Sequence, residues 1–342
     1  MSDFVRARRR AMRIVAVGLV ALVGLFAAPI GASAGTISDP TGICTGTYLR
    51  RVNVASTAQL TYALRYAKPG DYIHLADGTY HAHFTARVSG TSTHRIIICG
   101  SRRAILNGGS LTSGYGLHLA ASYWTVAGFS VTNSLKGIML DRARYVVLRG
   151  LAVYRIGDEG VHFRTYSSYD RLERSTIHDV GLTHPQNGEG VYVGSAKVNW
   201  ATYTAGLPDA SNRNRIVGNK IGPRTTAESV DVKEGTTGTV IAGNTFSGVG
   251  MNATVGADSW VDLKGNNAVV TSNIGVTAPL DGFQTHVILA GWGNDNVFRA
   301  NQADVGALGY GFRIRTTGIG NIVGCDNVVT NAAAGLANVP CS

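Results

Sequence analysis

The feature that most restricts the fold of this chain is a five-residue pattern that recurs every 25 to 29 residues. Its second position is apolar and its last position is Asn. The four clear copies are Arg215–Asn219, Val240–Asn244, Val269–Asn273 and Val297–Asn301, with a weaker copy at Ile322–Asp326 and less exact copies at Val126–Phe129, Val147–Leu151 and Leu172–Thr176. Such a period is typical of a solenoid, in which each coil packs only on its neighbours. The pattern predicts about eight coils.

A second pattern lies inside the same period. Short segments alternate apolar and variable residues, as β-strands do. They are Glu159–Arg164, Glu189–Gly194, Glu228–Lys233, Asp258–Lys264 with one inserted residue, Asp281–His286 and Tyr310–Arg315. Several short strands per coil with Gly and Asn at the corners predict a parallel β-helix in which the Asn residues stack as an internal ladder.

Other repeat folds fit these residues less well. Leucine-rich repeats need Leu at several fixed sites where these coils carry Val, Ile and Gly, and propeller blades need about 40 residues each. Gly makes up 44 of the 342 residues but has no three-residue period, which excludes collagen. A hydrophobic fraction of 44% supplies a core and excludes a disordered chain.

The first 34 residues read as a secretory signal. Five Arg residues precede an apolar run over 14–28, and Ala32-Ser33-Ala34 offers a cleavage site. The run is shorter than the roughly 20 residues that a membrane-spanning helix needs. Removing this segment lowers the net charge from +10 to +6. Because the sequence contains no nucleic-acid-binding motif, we expect no nucleic-acid partner. We also expect no membrane contact once the signal has been cleaved.

The four cysteines are interpreted in this secreted context. They allow three disulfide pairings, of which we favour Cys44 with Cys99 and Cys325 with Cys341, each fastening one end of the chain. The spacing contains no CxxC or HxxxH segment, which argues against a zinc site.

The segment before the coils predicts a cap. Ser56 and Gln59 form a capping box ahead of a helix with one apolar face, and Pro69-Gly70 ends it. Such a helix covers the open end of a solenoid. We therefore assign residues 35–99 to the cap and entry strands and 100–342 to the β-helix. An insertion between Gly194 and Arg213 lengthens one coil and carries Trp200.

Two segments resemble a known superfamily. The run Leu60–Tyr80, which contains Pro69-Gly-Asp71, resembles the N-terminal entry of pectate-lyase-like right-handed β-helix proteins. Within that superfamily, Glu228–Lys233 followed by Gly243–Phe246 is similar to the lysine-bearing coil of chondroitinase B and related alginate lyases. The resemblance implies a right-handed parallel β-helix and a polysaccharide lyase activity.

Outward-pointing residues of the aligned strands should form columns along the solenoid, because side chains alternate in direction along a strand. One column contains His162, Tyr192, Asp231, Asp262, Gln284 and Arg313, and a second contains Arg164, Gly194, Lys233, Lys264, His286 and Arg315. Acidic residues that precede the strands form a third column of Glu159, Glu189, Glu228, Asp258 and Asp281.

Stacked like charges about 4.8 Å apart repel one another unless counter-charges are present. We therefore predict an anionic polysaccharide over the basic column. A divalent cation, Ca²⁺ as the oxygen-binding ion abundant outside cells, is predicted at Glu189 and Glu228, whose coils flank the insertion.

Cleavage of a uronic-acid chain by β-elimination requires neutralisation of the C5 carboxylate, removal of the C5 proton and assistance to the departing O4. The resemblance implies that Lys233 is the base, activated by neighbouring cations that depress its pKa. We assign further catalytic roles to Lys264 and Arg315, although Lys264 stands where the family commonly has Arg and cannot give the same two-pronged grip. Substrate contacts are assigned to Arg164, Tyr192, Asp231, Asp262, His286, Arg313 and Trp200.

Two alternatives to a secreted, monomeric lyase stay open from the residues. Asp231 and Asp262 on adjacent coils could be about 5 Å apart, the separation of a retaining glycoside hydrolase pair. A non-catalytic carbohydrate-binding or adhesin solenoid would present the same columns.

Overall fold

The computed structural model describes residues 34–315 and 319–342. The predicted signal, residues 1–34, lies outside these residues except for its last position. The chain winds as a parallel β-helix in which ten coils of the described residues contribute one strand to each of three parallel sheets, and Arg50–Val54 adds one more strand to the first sheet. In the part of the chain that is described, no helix is both long and apolar enough to cross a membrane.

The first sheet has eleven strands. They are Arg50–Val54, Asp71–Leu75, Ile96–Cys99, Trp124–Ala127, Val147–Arg149, Arg171–Glu173, Arg215–Val217, Val240–Ala242, Val269–Thr271, Val297–Arg299 and Ile322–Val323. Strands of the repeated five-residue pattern all belong to this sheet, so that pattern marks one side of the solenoid.

The second and third sheets have ten strands each. The second contains Gly78–His81, Ala104–Asn107, Ser130–Ser134, Ala152–Ile156, Thr176–His178, Lys220–Ile221, Thr245–Ser247, Ile274–Val276, Gln302–Ala307 and Val328–Ala332. The third contains Phe84–Ala86, Tyr115–Leu119, Lys136–Asp141, Val161–Arg164, Val191–Val193, Val230–Val232, Ser259–Leu263, Asp281–Thr285, Tyr310–Arg313 and Gly335–Ala337.

Parallel stacking begins earlier than the boundary that we placed at residue 100. Arg50–Val54 already pairs with Asp71–Leu75, and the strands of that coil pair with those of the next. The prediction of about eight coils is therefore too low, because the strands Arg50–Val54, Asp71–Leu75 and Ile96–Cys99 do not show the five-residue pattern. Two short strands, Gly35–Ile37 and Gly46–Tyr48, form a separate antiparallel pair ahead of them.

Helices are few and short. The α-helix Thr57–Arg65 follows the Ser56 cap, whose hydroxyl accepts from the Gln59 amide at 3.3 Å, and it buries Leu60 and Leu64 against the first coil. The other helical segments are the α-helix Trp200–Tyr203 and the 3₁₀ turns Pro185–Asn187, Lys197–Asn199 and Ala253–Val255. The predicted capping helix is thus present at the N-terminal end of the solenoid.

The Asn ladder runs inside the solenoid as predicted. The side-chain oxygen of Asn244 accepts from the Asn219 amide and side chain at 2.9 and 3.0 Å, and Asn273 and Asn301 continue the series. Asn327, rather than Asp326, forms the last rung. Every rung is at least 95% buried, so each amide pairs where a lone polar group would be costly.

Both favoured disulfides are formed. Cys44 joins Cys99 with their Cα atoms 6.0 Å apart, and Cys325 joins Cys341 with a Cα separation of 5.0 Å. The first fastens the segment before the coils to the first sheet. The second fastens the end of the chain to the last strand of that sheet.

Asp170 occupies a rung in a second corner ladder and is fully buried. Its Oδ1 accepts from the Val146 amide at 2.7 Å, and its own amide donates to Asn214 at 3.0 Å, whereas its Oδ2 has no partner among the described residues. Burial raises the pKa of Asp170 to about 8, although the Val146 amide and two arginines act to lower it.

Replacing Asp170 with Asn, the residue on the next rung, should stabilise the protein at alkaline pH. The folded state holds the Asp170 proton up to about pH 8, whereas an unfolded Asp loses it near pH 4. Wild-type stability should therefore fall as pH rises through that window. Thermal melts at pH 6 and 9 should show a smaller decline for Asp170→Asn than for wild type. Parallel declines would contradict the buried neutral carboxyl.

Candidate active site

The predicted outward columns exist on the third sheet. His162, Tyr192, Asp231 and Asp262 are successive register partners, and the column continues through Gln284 and Arg313. We call this the central column. Two residues further along the strands, Arg164, Lys233, Lys264 and His286 form the basic column by the same register.

The acidic column differs at one coil. Glu159, Glu189 and Glu228 share a register, but Ser259 pairs with Asp281. The inserted residue of that coil therefore moves Asp258 one position out of the column. As a result, the unbroken part of the acidic column ends at Glu228.

These outward residues are not solvated, contrary to what strand periodicity suggests. Asp231 and Asp262 are only 2% and 3% exposed, and Lys264 is 9% exposed. The insertion, residues 195–213, packs against the chain that follows Lys233, and the Lys197 amide donates to Glu234 at 2.6 Å. Gly235 leaves room for this contact, because a Cβ there would lie 3.0 Å from Trp200.

Trp200 anchors the insertion. Its indole is 6% exposed, and its N–H donates to the Ser195 carbonyl at 2.9 Å. Asp209, which is fully buried, fixes the insertion to the preceding coil by accepting from the Thr165 and Tyr166 amides at 2.9 and 2.8 Å. Trp200 therefore has little free surface to offer a sugar, and its assigned substrate contact lacks a geometric basis.

A line of alternating charges crosses the basic and central columns. Lys233 Nζ lies 2.5 Å from Asp231, and Lys264 Nζ lies 2.9 Å from Asp231 and 2.5 Å from Asp262. His286 Nδ1 is 2.7 Å from the other oxygen of Asp262. Like charges that would repel along each column are thus compensated between the columns.

These pairs set the charge states. Burial acts to lower the pKa of Lys233, but the Asp231 carboxylate outweighs it and raises that pKa above the ordinary value. The pKa of Lys264 is raised for the same reasons. Burial acts to raise the pKa of Asp262, but Lys264 and His286 hold it well below its usual range. The expectation that neighbouring cations depress the pKa of Lys233 is therefore wrong for this state of the protein.

Three buried carboxylates meet beside this line. One oxygen from each of Glu189, Glu228 and Asp231 lies within 4.8 Å of the others. Burial, followed by the charge of neighbouring carboxylates, raises the pKa of Glu189 well above its usual value and that of Glu228 to about 8. Glu189 Oε2 is buried without a hydrogen-bond partner among the described residues. We call this group the carboxylate triad.

Tyr192 and Lys233 form the accessible edge of the cluster. The Lys233 ammonium lies 4.9 Å from the centre of the Tyr192 ring, and the His162 ring packs edge-on at 4.5 Å on the same tyrosine. Tyr192 is partly exposed, and 14% of the Lys233 side chain is exposed. Burial, with the Asp231 charge adding to it, raises the pKa of Tyr192 well above its usual value, so the phenol keeps its proton.

The predicted arginines lie apart from this cluster. Arg164 is bound to Asp141 through two hydrogen bonds of 2.8 and 2.9 Å and lies over the Tyr203 ring at 4.1 Å. Arg313 is three coils beyond Asp231. Arg315, two residues further, is exposed and three coils beyond Lys233, which corresponds to about 14 Å.

Sequence inspection missed several charged groups on the preceding coils. Lys136 pairs with Glu159 and lies 3.5 Å from Asp158, which in turn binds His184 at 2.7 Å. The strand that carries Lys136 has Gly137 where the later strands have their Gly, but Lys136 stands where they carry an acidic residue. Gly137 was therefore a signal that could have identified this strand.

The alternative hydrolase pair is not free to act as one. The Lys264 ammonium lies between Asp231 and Asp262 and contacts both. A retaining hydrolase needs one of its two carboxyl groups to keep a proton. Lys264 favours the charged form of both groups, which opposes that role.

Known proteins resemble this chain in fold and in sequence. Residues 50–198 match the family described as Pel9A-like, right-handed beta helix region. Curated protein sequences include no match. A solved structure, the alginate lyase from Paenibacillus sp. str. FPU-7, is 39% identical, with a TM-score of 0.79 over 85% of this chain and 99% of that one.

Two further structures share the fold at lower identity. Pectate lyase Pel9A is 17% identical, with a TM-score of 0.59 over 88% of this chain and 80% of its own. The PL6 family alginate lyase AlyGC is also 17% identical, with a TM-score of 0.53, and the match spans 82% of this chain but only 40% of AlyGC. The predicted right-handed parallel β-helix is confirmed, and the hydrolase and adhesin alternatives give way to a lyase. The chain belongs to the right-handed parallel β-helix polysaccharide lyases.

Proposed function

We propose that this protein cleaves alginate, a uronic-acid polysaccharide, by β-elimination. The observation that carries the proposal is the 39% identity to an alginate lyase over nearly the whole of that enzyme. It is supported by the Lys233 and Tyr192 pair at the accessible edge of a charged cluster.

In this proposal Lys233 removes the C5 proton and Tyr192 donates its phenolic proton to the departing O4. A general acid must hold its proton at the working pH, which the raised pKa of Tyr192 favours. Asp231 orients the Lys233 side chain at 2.5 Å, and Lys233 acts as the base only as the neutral amine, after losing the proton that the Asp231 charge favours. Lys264, bound to two carboxylates, positions Asp231 rather than touching the substrate.

The carboxylate triad fits a bound Ca²⁺, the ion that we predicted at two of its members. Three carboxylates that each bring one oxygen to the same place offer the hard ligands that calcium prefers, and one of the three, Glu189, has a buried oxygen without a partner among the described residues. Glu189, Glu228 and Asp231 would hold the ion. Bound there, it would supply positive charge for a uronate carboxylate and offset the Asp231 charge that raises the pKa of Lys233.

Calcium should raise the melting temperature, and chelation should reverse the rise, because the ion binds the folded triad and not the unfolded chain. The measurement is a thermal melt in millimolar CaCl₂ and then in excess EDTA. Glu228→Gln should abolish the shift. Glu159→Gln, in the same column but paired with Lys136, should keep it. A melting temperature that changes with neither calcium nor EDTA would mean that protons, and not a metal ion, neutralise the triad.

The proposed setting is extracellular. Two disulfides suit an oxidising compartment, and the first 34 residues have the composition of a secretory signal. We further propose a monomer that meets its polysaccharide substrate outside the cell. Fractionation of the producing cells and size-exclusion chromatography of the mature chain test these two points.

The activity is tested by ultraviolet absorbance of the C4–C5 double bond that β-elimination creates. Purified protein should produce it from alginate, and separate polymannuronate and polyguluronate should identify the preferred uronate. Polygalacturonate and chondroitin serve as comparisons. Absorbance with one of these polymers and none with alginate would contradict alginate as the substrate. New reducing ends without absorbance would contradict β-elimination as the reaction.

A further inference from the structure

A second charged cleft opens at the corner between the third and first sheets. It encloses about 580 Å³ and is lined by Arg142, Arg144, Tyr166, Tyr169 and Arg213. Its lining residues come from successive coils, and Arg213 is the last residue of the insertion. None of them belongs to the proposed catalytic pair.

The three arginines of this cleft have no counter-ion within the described residues. The arginines that pair with carboxylates are Arg50, Arg103, Arg149, Arg164, Arg171 and Arg224. Arg144 and Arg213 instead lie over the ring of Tyr169, at 5.8 and 5.6 Å from its centre. Both are exposed, as is Arg142, so the cleft holds uncompensated positive charge.

Aromatic rings continue the cleft along the solenoid. Tyr123, Tyr145 and Tyr169 stack on successive coils with ring centres 5.1 and 5.2 Å apart and planes within 19° of parallel. Tyr145 is 40% exposed. A rigid tyrosine surface beside arginines is a combination that suits sugar rings bearing carboxylates.

The backbone at these tyrosines is unfavourable for their residue type. Tyr123, Tyr145 and Tyr169 have φ of 59°, 59° and 62°, in the left-handed region. The next coil has Arg213 at the same corner position, with a φ of 57°. Later coils have Gly238, Asn267, Asp295 and Gly320 there, residue types that tolerate this conformation. Bulky tyrosines there carry a conformational cost, which side-chain contacts must offset.

We propose that this corner cleft is a second, non-catalytic binding site for the anionic polysaccharide substrate. The ligand class rests on the proposed function, whereas the site rests on the arginines and tyrosines alone. Arg142, Arg144 and Arg213 would pair with uronate carboxylates, and the tyrosines would contact pyranose rings. A polymer long enough to reach both sites would be held near the catalytic pair, because tethering raises its local concentration.

The test uses the triple variant Arg142→Ala, Arg144→Ala, Arg213→Ala in the full mature chain. Retardation in native gels containing alginate should weaken by about tenfold in apparent affinity, and its salt dependence should diminish. KM for long alginate should rise by a similar factor, while kcat/KM for a tetrasaccharide stays unchanged. A matched control removes three exposed arginines elsewhere: Arg65→Ala, Arg155→Ala and Arg299→Ala.

The outcomes separate the two proposals. Unchanged retardation and unchanged KM in the cleft variant would overturn the second site but leave the lyase proposal standing. If the cleft variant lost as much activity on the tetrasaccharide as on long alginate, the cleft would be part of the catalytic site, and the proposal of a second site would be overturned. Stronger binding of single-stranded DNA than of alginate, lost in the cleft variant, would assign the cleft to another ligand. Retardation by alginate that persists without any lyase activity would support the cleft alone.

Discussion

Lys233→Ala is expected to lower turnover on alginate by at least about a hundredfold, the usual contribution of a positioned general base. The fold should be retained, because Asp231 keeps its 2.9 Å contact with Lys264 when Lys233 is removed. Initial rates of double-bond absorbance, together with a thermal melt, measure the two effects. Lys220→Ala, an exposed lysine on the second sheet, is the control for loss of charge alone.

Chemical rescue distinguishes a base from a structural lysine. In Lys233→Cys, alkylation with bromoethylamine rebuilds an amine of nearly the same length at this position. The introduced thiol is the only free one, because all four native cysteines are in disulfides. Activity should return upon alkylation. Full turnover in Lys233→Ala would remove this lysine from the mechanism.

The columns could be predicted from the sequence because two periodicities fix them. The repeat length sets which strands stack, and alternation within each strand sets which side chains point outward. Tyr192, Asp231 and Asp262 therefore lie where the pattern puts them. The Asn ladder was predictable for the same reason, since Asn recurs at one corner of the successive later coils.

Burial of the columns could not be predicted, because a repeat pattern shows in which direction a side chain points but not whether another segment of the chain covers it. The insertion closes over the segment after Lys233 through contacts of Trp200 and Asp209 that follow no periodicity. Burial in turn decides the charge states. It makes Lys264 a buried partner of two aspartates, where an exposed lysine could have bound a substrate carboxylate.

The carboxylate triad combines both kinds of information. Glu189 and Glu228 could be selected from the acidic column. Asp231 belongs to the central column, and its carboxylate meets the two glutamates because neighbouring strands bring the three side chains together. We assigned Asp231 to substrate contact because the central column contains it. In the structure Asp231 lies between the central and acidic columns, where it can contact the substrate or bind a metal, and a sequence pattern does not distinguish these roles.

Tyr192→Phe is expected to lower turnover on alginate by about a hundredfold, because the ring remains but the proton for O4 is lost. Phenylalanine keeps the edge contact with His162 and the face that Lys233 approaches at 4.9 Å, so the melting temperature should hardly change. The measurement is the initial rate of double-bond formation at saturating alginate, which reports kcat rather than binding.

A uronate that carries nitrophenoxide at C4 assigns the two roles, because this leaving group departs without a proton. If Tyr192 is the acid, Tyr192→Phe should cleave the activated substrate nearly as fast as wild type does. Lys233→Ala should stay slow on it, since removal of the C5 proton is still required. The reverse pattern, fast cleavage by Lys233→Ala and slow cleavage by Tyr192→Phe, would exchange the roles and make the tyrosine the base. Slow cleavage by both would leave Lys233 as the base but reduce Tyr192 to a residue that only orients it.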